Sequence, residues 1–161
     1  GCLYDRLSPE GPDDRLRPNQ LFAVSLPFPL MALDQQQSIL NIVEERLLTP
    51  VGLRTLEPGH PEYRGRYEGS PLDRDGAYHQ GTVWPWLLGP YLSARLQAFG
   101  YSPENLAYCR QRLNALEAEL HRGCLGSLAE IYDGDPPHRP TGATAQAWSV
   151  AETLRVLMLL K

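Results

Sequence analysis

Apolar positions along this chain gather into helical periods separated by long polar stretches rich in proline. Residues Arg17 to Leu30, RPNQLFAVSLPFPL, read as a short helix that starts near Pro18 and is stopped by Pro27 and Pro29. Ile39, Leu40, Val43, Leu47 and Leu48 then recur at helical spacing behind Asp34, which reads as an N-cap, until Thr49 and Pro50 end the run. From Val51 to Thr82 no period is sustained, which predicts a brief extended piece and then a long loop ordered by Tyr63, Tyr67 and Tyr78. A third helix is expected from about Trp84 to Phe99 with Gly100 as its stop, and a fourth opens with Ser102 as cap and Pro103 at the first position. Leu106, Cys109, Leu113, Leu116 and Leu120 form a narrow apolar stripe on that fourth helix, so the two should pair as a hairpin. After Gly123 an irregular stretch leads to a last helix, about Gln146 to Leu160, with Ala147, Val150, Ala151, Leu154, Leu157 and Met158 assigned to its buried side. The pattern as a whole is all-α with site-bearing loops and short extended segments.

Composition narrows the function. A chain of 161 residues with 42% hydrophobic content is an ordinary globular domain rather than a disordered tail. A formal net charge of −4, with Lys and Arg scattered along the chain, argues against a nucleic-acid partner. No apolar run reaches the roughly 18 residues that span a bilayer, and GCLYDRLSPE has no signal-like charged and apolar regions, so neither a membrane partner nor targeting is expected. Cys2, Cys109 and Cys124 fit neither a zinc knuckle nor a disulfide framework; a reducing cytoplasm suits them, with Cys109 as a small core residue.

The candidate chemistry lies in two places. The stretch AYHQGTVWPW places Tyr78, His79, Gln80, Trp84 and Trp86 close together in sequence. Flat rings with polar tips suit the C–H face of a pyranose, and His and Gln supply directed hydrogen bonds; the same tryptophans read equally as core residues at a helix start. Glu130 in SLAEIYDGD follows apolar residues at the end of a short extended piece, a setting that disfavours the charged carboxylate and suits general acid or base work, or else it is a surface glutamate. Asp133–Gly134–Asp135 lacks the other ligands of a calcium loop and reads as a turn. His60, His79, His121 and His138 have no metal spacing, and only His79 has aromatic and amide neighbours, the others facing solvent. Arg64, Arg66 and Arg74 in the long loop are assigned to local carboxylates before any substrate. No cofactor motif is present and no metal is expected.

Three motifs carry a resemblance. RPNQLFAVSLP at 17–27, GLRTLEPGHPEYRGRYEGSPLDRDGAYHQGTVWPWLLGP at 52–90 and AEIYDGDPPHRPTGATAQAWSVAETLR at 129–155 resemble, in that order, the C-terminal amylo-α-1,6-glucosidase domain of glycogen debranching enzymes. The resemblance implies an (α/α)6 toroid of glucoamylase-like design, of which residues 1–161 would be roughly the C-terminal half, since five predicted helices do not close a ring of twelve. It implies a glycoside hydrolase that releases the α-1,6-linked glucose at a branch point of a glycogen-type glucan, with inversion. Glu130 then carries over as general base, with Tyr78, His79, Gln80, Trp84 and Trp148 as pocket-lining residues. The family's general acid is an aspartate upstream of the RPNQ stretch; Asp5, Asp13 and Asp14 precede RPNQ here in settings that do not match it. The expected partners are a branched α-glucan and the N-terminal half of the toroid. The other readings are a non-catalytic α-glucan-binding module and another toroidal glucosidase of glucoamylase or trehalase type.

Overall fold

The computed structural model describes residues 1–28, 30–123 and 125–161. Pro29 and Cys124, both used above, lie outside the described residues. The chain opens with a hairpin of β1 (Arg6–Ser8) and β2 (Gly11–Asp13), antiparallel with Leu7 opposite Pro12. A 3-10 turn at Pro18–Leu21 then runs into the single-turn helix α1 (Phe22–Ser25), matching the short helix expected from Pro18.

Helix α2 spans Leu33–Arg46 and differs from the expectation at both ends. Ala32, not Asp34, is the N-cap residue; Gln35 Oε1 accepts the Ala32 N–H at 3.1 Å, and Asp34 sits in the first turn, where its charge favours the helix dipole. At the other end Leu48 leaves the helix for β3 (Leu48–Thr49), which folds back on β4 (Gly52–Arg54) with Leu48 opposite Leu53. The Thr49 hydroxyl donates to the Gly52 carbonyl at 2.9 Å and closes that turn.

The long loop expected between Val51 and Thr82 contains a helix, α3 (Pro71–Ala77). Ser70 caps it by accepting the Asp73 N–H, Pro71 fills the first turn, and Asp73 returns the bond to Ser70 N–H at 3.0 Å. The third predicted helix also starts later than expected. Val83–Trp84 is β5, Pro85–Leu87 is a 3-10 turn, and only then does α4 (Leu88–Phe99) begin. Gly100 closes α4 at φ 75°, its N–H bonded to the Leu96 carbonyl, as a stop residue in the left-handed region does. Helix α5 (Pro103–Glu119) follows behind the Ser102 cap, and its buried face includes Cys109, Leu113 and Leu116 as the stripe predicts. β6 (Ile131–Tyr132), β7 (Pro140–Thr141) and α6 (Ala147–Leu159) complete the chain.

Two consequences follow for the architecture. The fold is mainly helical, but β3 to β7 form one five-stranded antiparallel ribbon in chain order, which the sequence pattern does not show. Around it, α4 is the central helix: nine of its 12 residues are buried, and it packs on α1, α2, α5 and α6. A polar node ties α2, α4 and α5 together, with Glu44 accepting from Tyr91, Tyr108 and Arg95 at 2.7–2.9 Å.

The last helix turns a different face inward from the one assigned to it. Ser149, Val156 and Leu160 are buried, Arg155 donates to the Ser93 hydroxyl of α4, and Glu152 lies against Gly89, where a Cβ would meet its carboxylate at 2.1 Å. Ala147 and Ala151 are exposed, Val150 is half-buried, and Leu154, Leu157 and Met158 are 41–63% exposed. The helix approaches α4 closely through its small and polar side, which leaves the apolar side uncovered. Between that side and α5 runs a groove of about 430 Å3 lined by Leu113, Leu116, Leu120, Leu128, Leu154 and Leu157.

Candidate active site

The residues singled out in sequence come together at one end of the ribbon. Helix α3 delivers Tyr78, His79 and Gln80 into a turn that is fastened from several sides. The Tyr78 carbonyl accepts from the Thr82 hydroxyl at 2.6 Å and from Trp84 Nε1 at 3.1 Å. Arg17 reaches across from the 3-10 turn and donates to the Thr55 and His79 carbonyls and to Gln80 Oε1 at 2.6–2.9 Å. The amide of Gln80 is therefore committed to holding the turn, its nitrogen directed at Glu62.

The aromatic side chains form one continuous set. His79 stacks on Trp84 at 5.3 Å and 10°, and Tyr78 meets Trp84 edge-on at 4.9 Å. Trp148 meets Trp84 edge-on and stacks on Trp86 at 5.2 Å, and Trp86 in turn stacks on Phe22. Trp84 is 95% buried in the core cluster and also lines a cleft. That cleft is about 560 Å3, within the usual range of small-molecule sites, roughly 300–1,000 Å3. Its lining includes Phe22, Trp84, Trp86 and Trp148 on the apolar side and Asp5, Arg17, His79 and Gln80 among the polar groups.

Glu130 lies beside this cleft rather than in its lining, joined to it by Tyr78. It lies one residue before β6 instead of ending a strand, and its backbone N–H donates to the Ala143 carbonyl at 2.9 Å. Its half-buried carboxylate accepts three bonds: Tyr78 O–H at 2.6 Å and Gln146 Nε2 at 3.2 Å on Oε1, and the Ala143 N–H at 3.0 Å on Oε2. Gly142, at φ 71°, lets the return strand pass so closely that a Cβ there would meet Glu130 Oε2 at 2.5 Å. Burial first, and then the bond to Glu130, push the Tyr78 hydroxyl far above the usual tyrosine range, so it stays a donor. Burial, and next the Arg17 charge, hold His79 below its ordinary value, so at neutral pH the ring is uncharged and offers one donor and one acceptor.

The other acidic candidates have structural partners. Asp133 is fully buried, paired with Arg139 at 3.2 Å and Arg66 at 3.4 Å, and accepts the Tyr67 N–H at 2.9 Å. Asp135 accepts the Tyr63 hydroxyl, which burial and that bond push up to about 12. Arg66 thus pairs locally, as expected, and Arg74 caps a loop by donating to the Gly69 carbonyl. His138 is buried against the Asp133 carbonyl, not solvent-facing, because the loop it sits in folds back on β6. Sequence reasoning missed Gln146 and Ala143 as partners of Glu130. It also set Asp5 aside, and the structure places Asp5 in the cleft.

Comparison with known proteins gives a family for the chain. The family description "Amylo-alpha-1,6-glucosidase" matches residues 1–155. A glycogen debranching enzyme of Saccharomyces cerevisiae is 36% identical over an alignment covering 86% of this chain and 10% of the yeast protein. The chain therefore spans about a tenth of that relative's length. With a match running through all three sequence motifs and through Glu130, the aromatic cleft and the turn that holds them, this chain belongs to the amylo-alpha-1,6-glucosidase family.

Proposed function

We propose that this chain is the part of a debranching glucosidase that carries the general base, Glu130, and most of the glucose-binding wall. The observation that carries the reading is the set of three donors on Glu130 beside an aromatic cleft. A carboxylate offers about four acceptor positions, so three bonds fix its orientation and leave about one, on Oε2, for a water. That water, deprotonated by Glu130, attacks the anomeric carbon of the terminal glucose from the face opposite the leaving chain, which inverts it. Protonation of the departing α-1,6 oxygen falls to an aspartate from the segment that precedes the RPNQ stretch in the family, roughly 6.5–9.5 Å from the base. Trp84, Trp86 and Trp148 bind the ring's apolar face, His79 supplies a hydrogen bond, and Tyr78 positions the base.

The substrate is a branched α-glucan of glycogen type, and the chain works as roughly the C-terminal half of an (α/α)6 toroid. The uncovered apolar side of α6, with Leu154, Leu157 and Met158 exposed, supports a further helical layer packing there. Cys2 and Cys109 are both free thiols, which suits a reducing cytoplasm.

The test is Glu130→Gln in the full-length enzyme. It keeps the size of the side chain and removes the ability to take a proton, so turnover on a branched limit dextrin should fall by about two to four orders of magnitude while binding persists. Glucose release near the wild-type rate would end the assignment.

A further inference from the structure

Asp5 occupies a place in the cleft that the reading above leaves unused. Its side chain is 13% exposed and lines the cleft shared by the tryptophans. It is also held in place from three directions. Its backbone N–H donates to the Asp13 carbonyl at 2.8 Å, Asn19 Nδ2 donates to Oδ1 at 2.7 Å, and Arg17 Nε lies 3.6 Å from Oδ2. Arg17 cannot swing away, because its other nitrogens are bonded to Thr55, His79 and Gln80. Of about four acceptor positions on a carboxylate, about two are therefore unfilled. A fixed two-oxygen acceptor beside flat apolar rings is the arrangement that recognises adjacent hydroxyls on a stacked pyranose.

We propose that Asp5, positioned by Arg17 and Asn19, accepts hydrogen bonds from two adjacent hydroxyls of the bound glucosyl ring and sets the sugar specificity of the cleft. This rests on the glucosidase reading for the identity of the sugar, but not on Glu130 acting as base. A site built to hydrogen-bond a hydroxyl discriminates against the sugar that lacks it, since the buried acceptor is then left unpaired.

Inhibition constants are measured in the full-length enzyme for D-glucose and its 2-, 3-, 4- and 6-deoxy derivatives, for the wild type and for Asp5→Asn. In the wild type two neighbouring deoxy positions should each weaken binding about tenfold, and in Asp5→Asn those two ratios should collapse to about one while the other positions keep theirs. Both ligands draw on the same folded population, so the ratio within one variant holds even where Asp5→Asn lowers stability. Asn19→Ala, which leaves the carboxylate but frees it, should give intermediate ratios. Deoxy ratios identical in wild type and Asp5→Asn, or no response to glucose at all, would overturn the proposal. If those ratios are unchanged while Glu130→Gln abolishes turnover, the hydroxyl reader fails and the general base stands. If Asp5→Asn erases the preference while Glu130→Gln remains active, the reverse holds.

Discussion

Glu130 and Asp133 flank the same two-residue strand, β6, yet they are solvated by the protein in opposite ways. Glu130 is half-buried and takes its bonds from a tyrosine hydroxyl, a backbone N–H and a side-chain amide, none of which carries a formal charge. Asp133 is fully buried and is neutralised by Arg66 and Arg139 while accepting the Tyr67 N–H. Neutral donors orient the Glu130 carboxylate without pairing its charge. Two guanidinium groups make Asp133 a fastener: it clips the loop carrying Tyr67 to β6, and the Tyr67 ring lies 5.9 Å from that of Tyr78. Two carboxylates a few residues apart are thus held in different ways, and the support that Asp133 gives ends on the tyrosine bonded to Glu130, the residue proposed as base.

The comparison is broken most decisively by exchanging the losses. Glu130→Gln should remove about 10²–10⁴ of turnover and cost about 1 kcal/mol of stability, the latter because the new NH2 faces the Ala143 N–H or another donor. Asp133→Asn should do the opposite. It leaves one of two arginines or the Tyr67 N–H facing a donor, and costs about 2–3 kcal/mol in urea unfolding, reduced from a fully buried pair because both arginines are half-exposed. Turnover of that variant should stay within about tenfold of wild type; a larger loss with unchanged unfolding would make Asp133 part of the chemistry.

Smaller effects sharpen the picture. Tyr78→Phe deletes the shortest bond to Glu130 and should lower kcat about five- to tenfold with KM little changed. An increase in KM alone would mean that Tyr78 binds sugar and does not position the base. The smallest effect is electrostatic. His79 is held below its ordinary 6.5, so as pH falls through that value the unfolded chain takes up the proton first and the folded state loses stability, until His79 itself protonates; above it the histidine contributes no slope. His79→Gln should therefore flatten the stability profile on the acid side and leave the neutral side as it was.

What the sequence revealed and what it hid have physical causes. Helix α5 was legible at both levels, because Ser102, Pro103 and a regular stripe act locally. The small helix α3 carries a comparable signature in Ser70, Pro71 and Asp73, but seven residues are too few to establish a period. The ribbon is invisible for the same reason, since strands of two or three residues cannot display alternation. For α6 the periodicity grouped Leu154, Leu157 and Met158 onto one side correctly, but periodicity cannot say which side a neighbour covers. At the site, Glu130 and the aromatic residues stood out by type. Gln146, Ala143 and Asp5 did not, because their roles depend on where distant segments meet and, for Ala143, on the backbone alone.

The ribbon also bears on how such a chain can vary. β5 and β6 are held by one residue pairing, Val83 with Tyr132, and side chains alternate sides along a strand. A slip of one residue there would turn Glu130 to the opposite face and carry it away from Tyr78. Residues added at Pro9 and Glu10, the exposed tip of the β1–β2 hairpin, would leave this pairing untouched. An insertion between Glu130 and Tyr132 would not: a single added codon would reverse the acid's direction while leaving nearly every other contact of the protein intact.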